Sequence, residues 1–305
     1  MPTIANLRKG GFPFDSLSPE QSYLWGMRIW MHALLPAMLQ GLLACGNHSS
    51  ATLDPSMTCA HEMAAAAVDT PTQILDSVLA DTISKAHLLG RIVPAKDPDF
   101  VLIAQKYTVK SGIYLRREAY SAFEKMHAAA AAAGITLTIL SATRTFADQK
   151  TIWENKWTGR TIVGGKNLGA AVSDPVERAK IILRYSSMPG SSRHHWGTDV
   201  DLNSLENSYF LDGVGRRVYA WLQAHAAEFG FCQPYTPIAP DRPGGYQEER
   251  WHWSYMPLSM RFLEAYRAKV RLADIHGFLG SETAEPLKIL EHYVAGIAPR
   301  CKEWK

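Results

Sequence analysis

Residues 116–133 read RREAYSAFEKMHAAAAAA, and after Gly134 residues 135–140 read ITLTIL. The first stretch sets Tyr120, Phe123, Met126 and Ala130 on one face at helical spacing, with Gly134 as a natural stop. The second alternates as a half-buried strand does. Residues 216–229 repeat the helical logic, with Val218, Trp221, Leu222 and Phe229 apolar ahead of Gly230. Helices and short strands mix without a βαβ rhythm. The expected fold is therefore α+β, a small antiparallel sheet flanked by helices.

No second linker interrupts the pattern from about Ile74 onward, so residues 74–305 read as one domain. Residues 45–73 carry Ser, Thr, Pro and an alanine run without a sustained period, the composition of a tether. Further upstream, residues 29–45 read IWMHALLPAMLQGLLAC, without a single charge. Arg28 precedes them and polar residues 47–50 follow, which are the parts of a secretory signal. Residues 42–46, LLACG, resemble a bacterial lipobox, although Leu43 stands where a small residue is usual. That resemblance implies a lipid on Cys45, loss of residues 1–44 and an exported protein anchored to a membrane of the cell envelope. An uncleaved membrane helix is the rival, but the stretch is short for one and Pro36, Gln40 and Gly41 interrupt it. Met27-Arg28 is a more normal start for such a signal than Met1.

The 305 residues hold 32 Lys+Arg against 29 Asp+Glu, a net charge of +3, and are 47% hydrophobic. This excludes a disordered chain, and four cysteines are too few for a disulfide scaffold. Without a basic tract, nucleic acid is not the expected partner. With Cys45 lipidated, Cys59, Cys232 and Cys301 allow at most one disulfide and one free thiol, and the sequence leaves the pairing open.

Two clusters carry chemistry: SRHHWGTDVDL at 192–202 and ERWHW at 249–253. A catalytic zinc takes three nitrogen or oxygen ligands and keeps a fourth position open. His194, Asp201 and His252 supply such a set, for one Zn2+ per chain. Glu249, three residues before a ligand, is the candidate base for a metal-activated water. His61, His127, His225 and His292 have no such company, and Gly213-Val214-Gly215 reads as a turn. Trp153 and Trp157, at i and i+4, read as a core stripe.

S-x-H-x-x-G-x-x-x-D followed by E-x-W-H resembles the VanY-type zinc D-alanyl-D-alanine carboxypeptidases. They belong to the superfamily of lysostaphin-like peptidases and hedgehog domains. YLRREAYSAFEKM, ITLTILSATRTFADQ, PGSSRHHWGTDVDL and ERWHW follow that family's order. The resemblance implies that His194, Asp201 and His252 bind zinc and that Glu249 is the catalytic base. It also implies that Arg144 meets the substrate's carboxylate or the oxyanion, with Ser192 and Gln149 as further substrate contacts. An exopeptidase must recognise a carboxylate, and arginine offers it a permanent bidentate charge.

The implied activity is removal of the terminal D-alanine from peptidoglycan stem peptides; the oligomeric state is open. An L,D-carboxypeptidase acting on tetrapeptides and a cross-link endopeptidase are rivals, and Arg144 disfavours the second. A non-catalytic zinc-stabilised binding module is a third, which Glu249 disfavours. Asp199 stands where the family commonly has Ala, as a supporting partner or a rival ligand, and Arg250 stands where Pro is frequent. Adjacent to His194, His195 should point elsewhere, in a structural or rim role.

Overall fold

The structure, a computed structural model, describes residues 82–304. The expected signal, the lipidation site Cys45, the tether, Cys59 and His61 lie outside the described residues. Among the described residues no helix is long and apolar enough to cross a membrane.

Strands β1 (Phe100–Leu102) and β2 (Tyr114–Arg116) pair antiparallel, and β2 runs straight into helix α1 (Arg117–Ala132). Phe123, Met126 and Ala130 are buried on the expected face. Burying a side chain such as Phe123 or Met126 contributes about 1.5–3 kcal/mol. Ala119 completes the stripe, whereas Tyr120 stays half-buried at its edge, where its hydroxyl accepts the Ala104 N–H at 3.3 Å. The strand expected over 135–140 is shorter than its pattern. Ile135, Leu137 and Ile139 alternate into the core, but β3 forms only at Ile139–Ser141. Asn203, in a left-handed conformation, engages Thr138 instead: its N–H donates to the Thr138 carbonyl at 2.8 Å.

Helix α2 (Phe146–Trp157) follows β3, and α3 (Pro175–Ile182) begins at Asp174, whose carboxylate caps it. Trp153 and Trp157 stack with centroids 6.0 Å apart in the core, as their spacing predicts. Strand β4 (Asp199–Leu202) leads towards α4 (Gly213–His225), and Gly213-Val214-Gly215 opens that helix instead of making a separate turn. Gly215 answers a crowding demand, because a Cβ there would lie 1.9 Å from the Tyr209 carbonyl oxygen. The helix expected over 216–229 ends at His225, and a 3-10 turn, Ala226–Phe229, carries the chain to Gly230.

Strands β5 (Phe231–Cys232) and β6 (His252–Tyr255) complete a sheet of order β3-β4-β6-β5, antiparallel throughout, and β6 continues into α5 (Met256–Lys269). In β4 and β6, Asp199 pairs with Ser254, Val200 with Trp253 and Asp201 with His252. Side chains alternate across a sheet, so Asp199, Asp201, His252 and Ser254 share one face. Val200, Leu202 and Trp253 share the other, packed in one core with residues of α1 and α4. A second core gathers Trp153, Trp196, Met256, Tyr266 and much of the segment after α5. Cys232 and Cys301 form a disulfide, which resolves the pairing that the cysteine count left open.

Candidate metal centre and substrate cleft

β4 and β6 set Asp201 and His252 opposite each other, and the 3-10 turn Arg193–Trp196 brings His194 to the same point. Gly197 ends that turn at φ +71°, and a Cβ there would fall 2.4 Å from Phe100, so both the bend and the space demand glycine. Ligand-type atoms of the three residues lie within 4.8 Å of one another, the one such group able to hold a metal among the described residues. His194 Nε2 is 3.3 Å and His252 Nδ1 is 3.2 Å from Asp201 Oδ1. Those separations match the edges of a tetrahedron with ligand bonds of about 2.0 Å.

The hydrogen-bond pattern fits a cation. His194 Nε2 and Asp201 Oδ1 are buried and make no hydrogen bond. Buried polar atoms left without a partner are costly, and a metal ion would satisfy both. The far nitrogen of each histidine is engaged: His194 Nδ1 with the Ala142 carbonyl at 2.8 Å, His252 Nε2 with Asp199 Oδ2 at 2.9 Å. Donating there fixes the tautomers so that His194 Nε2 and His252 Nδ1 present lone pairs to the centre. Burial alone would raise the Asp201 carboxyl, but His194 and His252 hold it well below the carboxylate range.

Asp199 is therefore a partner of a ligand-type histidine, not a rival to Asp201. Arg193 Nε also donates to its Oδ2 at 3.1 Å, while the Thr198 and Ser254 hydroxyls donate to Oδ1 at 2.6 and 2.7 Å. Burial works against its charge, but Arg193 and His252 outweigh it and keep Asp199 ionised. His195 turns away from the centre, as expected. Its Nδ1 donates to the Arg144 carbonyl at 2.7 Å and its Nε2 accepts from Gly190 N–H at 3.0 Å. Burial pushes its pKa down to about 3, so it holds structure as a neutral ring.

Glu249 is buried, with Oε2 3.4 Å from His252 Nδ1. Burial raises its carboxyl, and His252 offsets this only in part. Arg144 sits between β3 and α2, one residue before a capping box. There Thr145 Oγ1 accepts the Asp148 N–H at 3.2 Å and Asp148 accepts the Thr145 N–H at 2.9 Å. Arg144 N–H donates to the His194 carbonyl at 3.1 Å. A guanidinium based on so fixed a backbone reaches to 3.9 Å from Asp201 Oδ2 while keeping partial contact with solvent.

Arg144, Ser192, Arg193, His194, Glu249 and His252 line one cleft, together with Tyr185, Ser187, Tyr235 and Tyr246. Ser192 Oγ is buried there without a partner, as a ligand contact would be. Gln149 differs from its expected place. It is fully buried and does not line the cleft; its Nε2 donates to the carbonyl of Ser187, which does. It stands one layer behind the substrate contact the sequence suggests. Arg250 bonds Glu248 at 3.1 Å and covers the Tyr219 ring, away from the His194–Asp201–His252 group. The four lining residues outside the motifs come from irregular segments around 185–187 and 235–246, where no spacing marked them.

This is an α+β domain with a buried two-histidine, one-aspartate group beside a carboxylate and an arginine. The family model for D-alanyl-D-alanine carboxypeptidase, VanY, matches residues 112–258, a span that holds every site residue above. Over that span, a little under half of the chain, the sequence resembles the VanY family. YodJ of Bacillus subtilis (strain 168), assigned as a carboxypeptidase, is 31% identical over 187 residues, covering 59% of this chain and 60% of that protein. A D-alanyl-D-alanine carboxypeptidase of Enterococcus faecalis (strain ATCC 700802 / V583) is 34% identical over 73 residues, 23% of this chain and 24% of its own. The chain thus spans less than two thirds of the length of either relative. Among solved structures, VanYB in complex with D-alanine-D-alanine is 22% identical, with a TM-score of 0.41 over 58% of this chain and 87% of that one.

Proposed function

We propose that this chain is a zinc carboxypeptidase that removes the terminal D-alanine from peptidoglycan stem peptides. The observation that carries this reading is the convergence of His194 Nε2, Asp201 Oδ1 and His252 Nδ1 beside Glu249, with Arg144 lining the same cleft. Two nitrogens and one oxygen are a catalytic zinc's donor set. A bound zinc ion supplies Lewis acidity, bringing the pKa of a coordinated water to about 7 and polarising a carbonyl.

The chain's own residues do the rest. Arg144 pairs with the terminal carboxylate, and the Ser192 hydroxyl contributes a hydrogen bond beside it. Glu249 accepts the proton of the attacking water and returns it to the departing amine of D-alanine. Burial favours the accepting half of this shuttle, because a carboxylate whose pKa is raised is a stronger base than an ordinary glutamate. No side-chain nucleophile is needed, so no acyl-enzyme forms. Preference for a free carboxylate separates this reading from a cross-link endopeptidase. The disulfide supports an exported location, since such bonds persist in oxidising compartments. A lipid on Cys45 would hold the domain to a membrane of the envelope.

Mass spectrometry of pentapeptide and tetrapeptide stems, offered separately to the full chain with zinc and with a chelator, tests the reading. Metal-dependent loss of one alanine mass from the pentapeptide is expected. Loss from the tetrapeptide alone would move the activity to L,D cleavage, and loss from neither would refute it.

A further inference from the structure

Behind the cleft lies a clamp that the metal site does not explain. The irregular segment from Gln233 to Glu249 contributes Tyr235, Tyr246 and Glu249 to the cleft, and one side chain ties its two ends. Gln233 is fully buried. Its Nε2 donates to the carbonyl oxygens of Tyr235 at 3.1 Å and Glu249 at 3.2 Å, while its Oε1 accepts the Tyr219 hydroxyl at 2.9 Å. The Glu249 N–H closes the loop by donating to the Tyr235 carbonyl at 2.9 Å.

A second set of contacts comes from the C-terminal segment, which lies beyond the span matched by the family model. Cys301, in the last helical turn Pro299–Lys302, is bonded to Cys232, the residue before Gln233. Its sulfur is 3.2 Å from the Gln233 carbonyl oxygen. Ala298 N–H donates to the Pro234 carbonyl at 2.8 Å, and Tyr293 packs edge-on against Tyr246 with centroids 5.2 Å apart. The segment is thus fastened to the base of the Glu249 loop at its first two residues and to its wall at Tyr246. The covalent bond joins residues 69 apart in sequence. Without it, the segment holds the loop only through contacts that can open locally.

We propose that the Cys232–Cys301 disulfide licenses the active site, because only with the bond closed does Gln233 hold the Glu249 backbone where the base must stand. Gln233 is then a positioning residue. Its effect on turnover rests on the carboxypeptidase reading; its effect on the loop does not. Closure needs a protein or small-molecule disulfide as oxidant. One cysteine thiolate attacks that disulfide, and the second displaces the resulting mixed disulfide. The two electrons and two protons leave with the oxidant, which departs as a dithiol or as two thiols. A chain still in a thiol-reducing compartment therefore carries the metal ligands but a poorly placed base, and gains full activity on oxidation after export.

The test compares the full wild-type chain, the Cys232→Ser/Cys301→Ser variant, and Gln233→Leu with its disulfide verified by mass. Hydrogen exchange of residues 233–249, zinc affinity by chelator competition, and kcat and KM on stem pentapeptide are measured for each. Both variants should exchange this segment at least tenfold faster and lose at least tenfold in kcat per zinc-loaded site. Zinc affinity and KM should stay within threefold, which a general loss of structure would not allow. Exchange equal to wild type, or faster exchange with full kcat, overturns the proposal. If the cysteine variant fails to hold zinc, Gln233→Leu decides by the same readouts. If oxidised wild type cleaves no stem peptide, the carboxypeptidase reading falls and exchange alone decides the clamp.

Discussion

The facing strands β4 and β6 and the cleft wall from 233 to 249 serve one site by opposite means. On the strands, each functional group is placed by pairing register: Asp201 faces His252, Asp199 faces Ser254, and every one is buried in a hydrogen-bonded layer. The wall has no ladder between Cys232 and His252 and owes its course to side-chain and covalent ties: Gln233, which bonds Tyr235 and Glu249, the disulfide, and Arg242, whose guanidinium donates to the Tyr246 and Gly244 carbonyls. Regular pairing places Asp201 and His252 locally. Side-chain and covalent ties hold the segment that ends at Glu249. Metal binding should therefore survive damage that turnover does not.

The largest effect should come from the His194–Asp201–His252 group. His194→Ala removes one ligand, so zinc content after dialysis should fall to near zero and turnover to background, checked by atomic absorption and peptide hydrolysis. Arg144→Lys should lower kcat/KM by about 10–100-fold with zinc content unchanged, since a lysine cannot reproduce the bidentate contact and charge-assisted bonds are worth about 1.5–3 kcal/mol. Asp199→Asn weakens the carboxylate that orients His252. Zinc affinity by chelator competition should fall about 10–100-fold. An unchanged affinity would mean that strand pairing alone orients the histidine.

Gln149→Ala should be the mildest. It removes one bond to the Ser187 carbonyl and should cost about 1 kcal/mol in urea unfolding, with zinc affinity retained. A large change in KM instead would place Gln149 in direct contact with substrate.

The same division governs what was legible in the sequence. The candidate ligand group was legible because coordination demands His and Asp at fixed spacing, and strand alternation set Asp199 and Asp201 on one face. The helix over 117–132 was legible from its period. The end of α4 at His225 was not, because apolar Phe229 continues the pattern through a turn that only tertiary packing imposes. Asp199 was legible as a group near the metal but not as the acceptor for His252, since a choice between ligand and partner depends on distances. Tyr185, Tyr235 and Tyr246 carried no signal: aromatic residues in irregular segments read as core as readily as cleft. The Cys232–Cys301 pairing was one of three possible among the cysteines left after Cys45.

The decisive experiment pairs zinc stoichiometry with turnover in Glu249→Gln. Proton transfer through Glu249 predicts one zinc per chain, bound with wild-type affinity, and a kcat lower by about 10²–10⁴-fold, the usual contribution of a general base. Wild-type turnover in this variant would contradict it, because the proton would then have another acceptor and the β4–β6 face would be a metal site without its base.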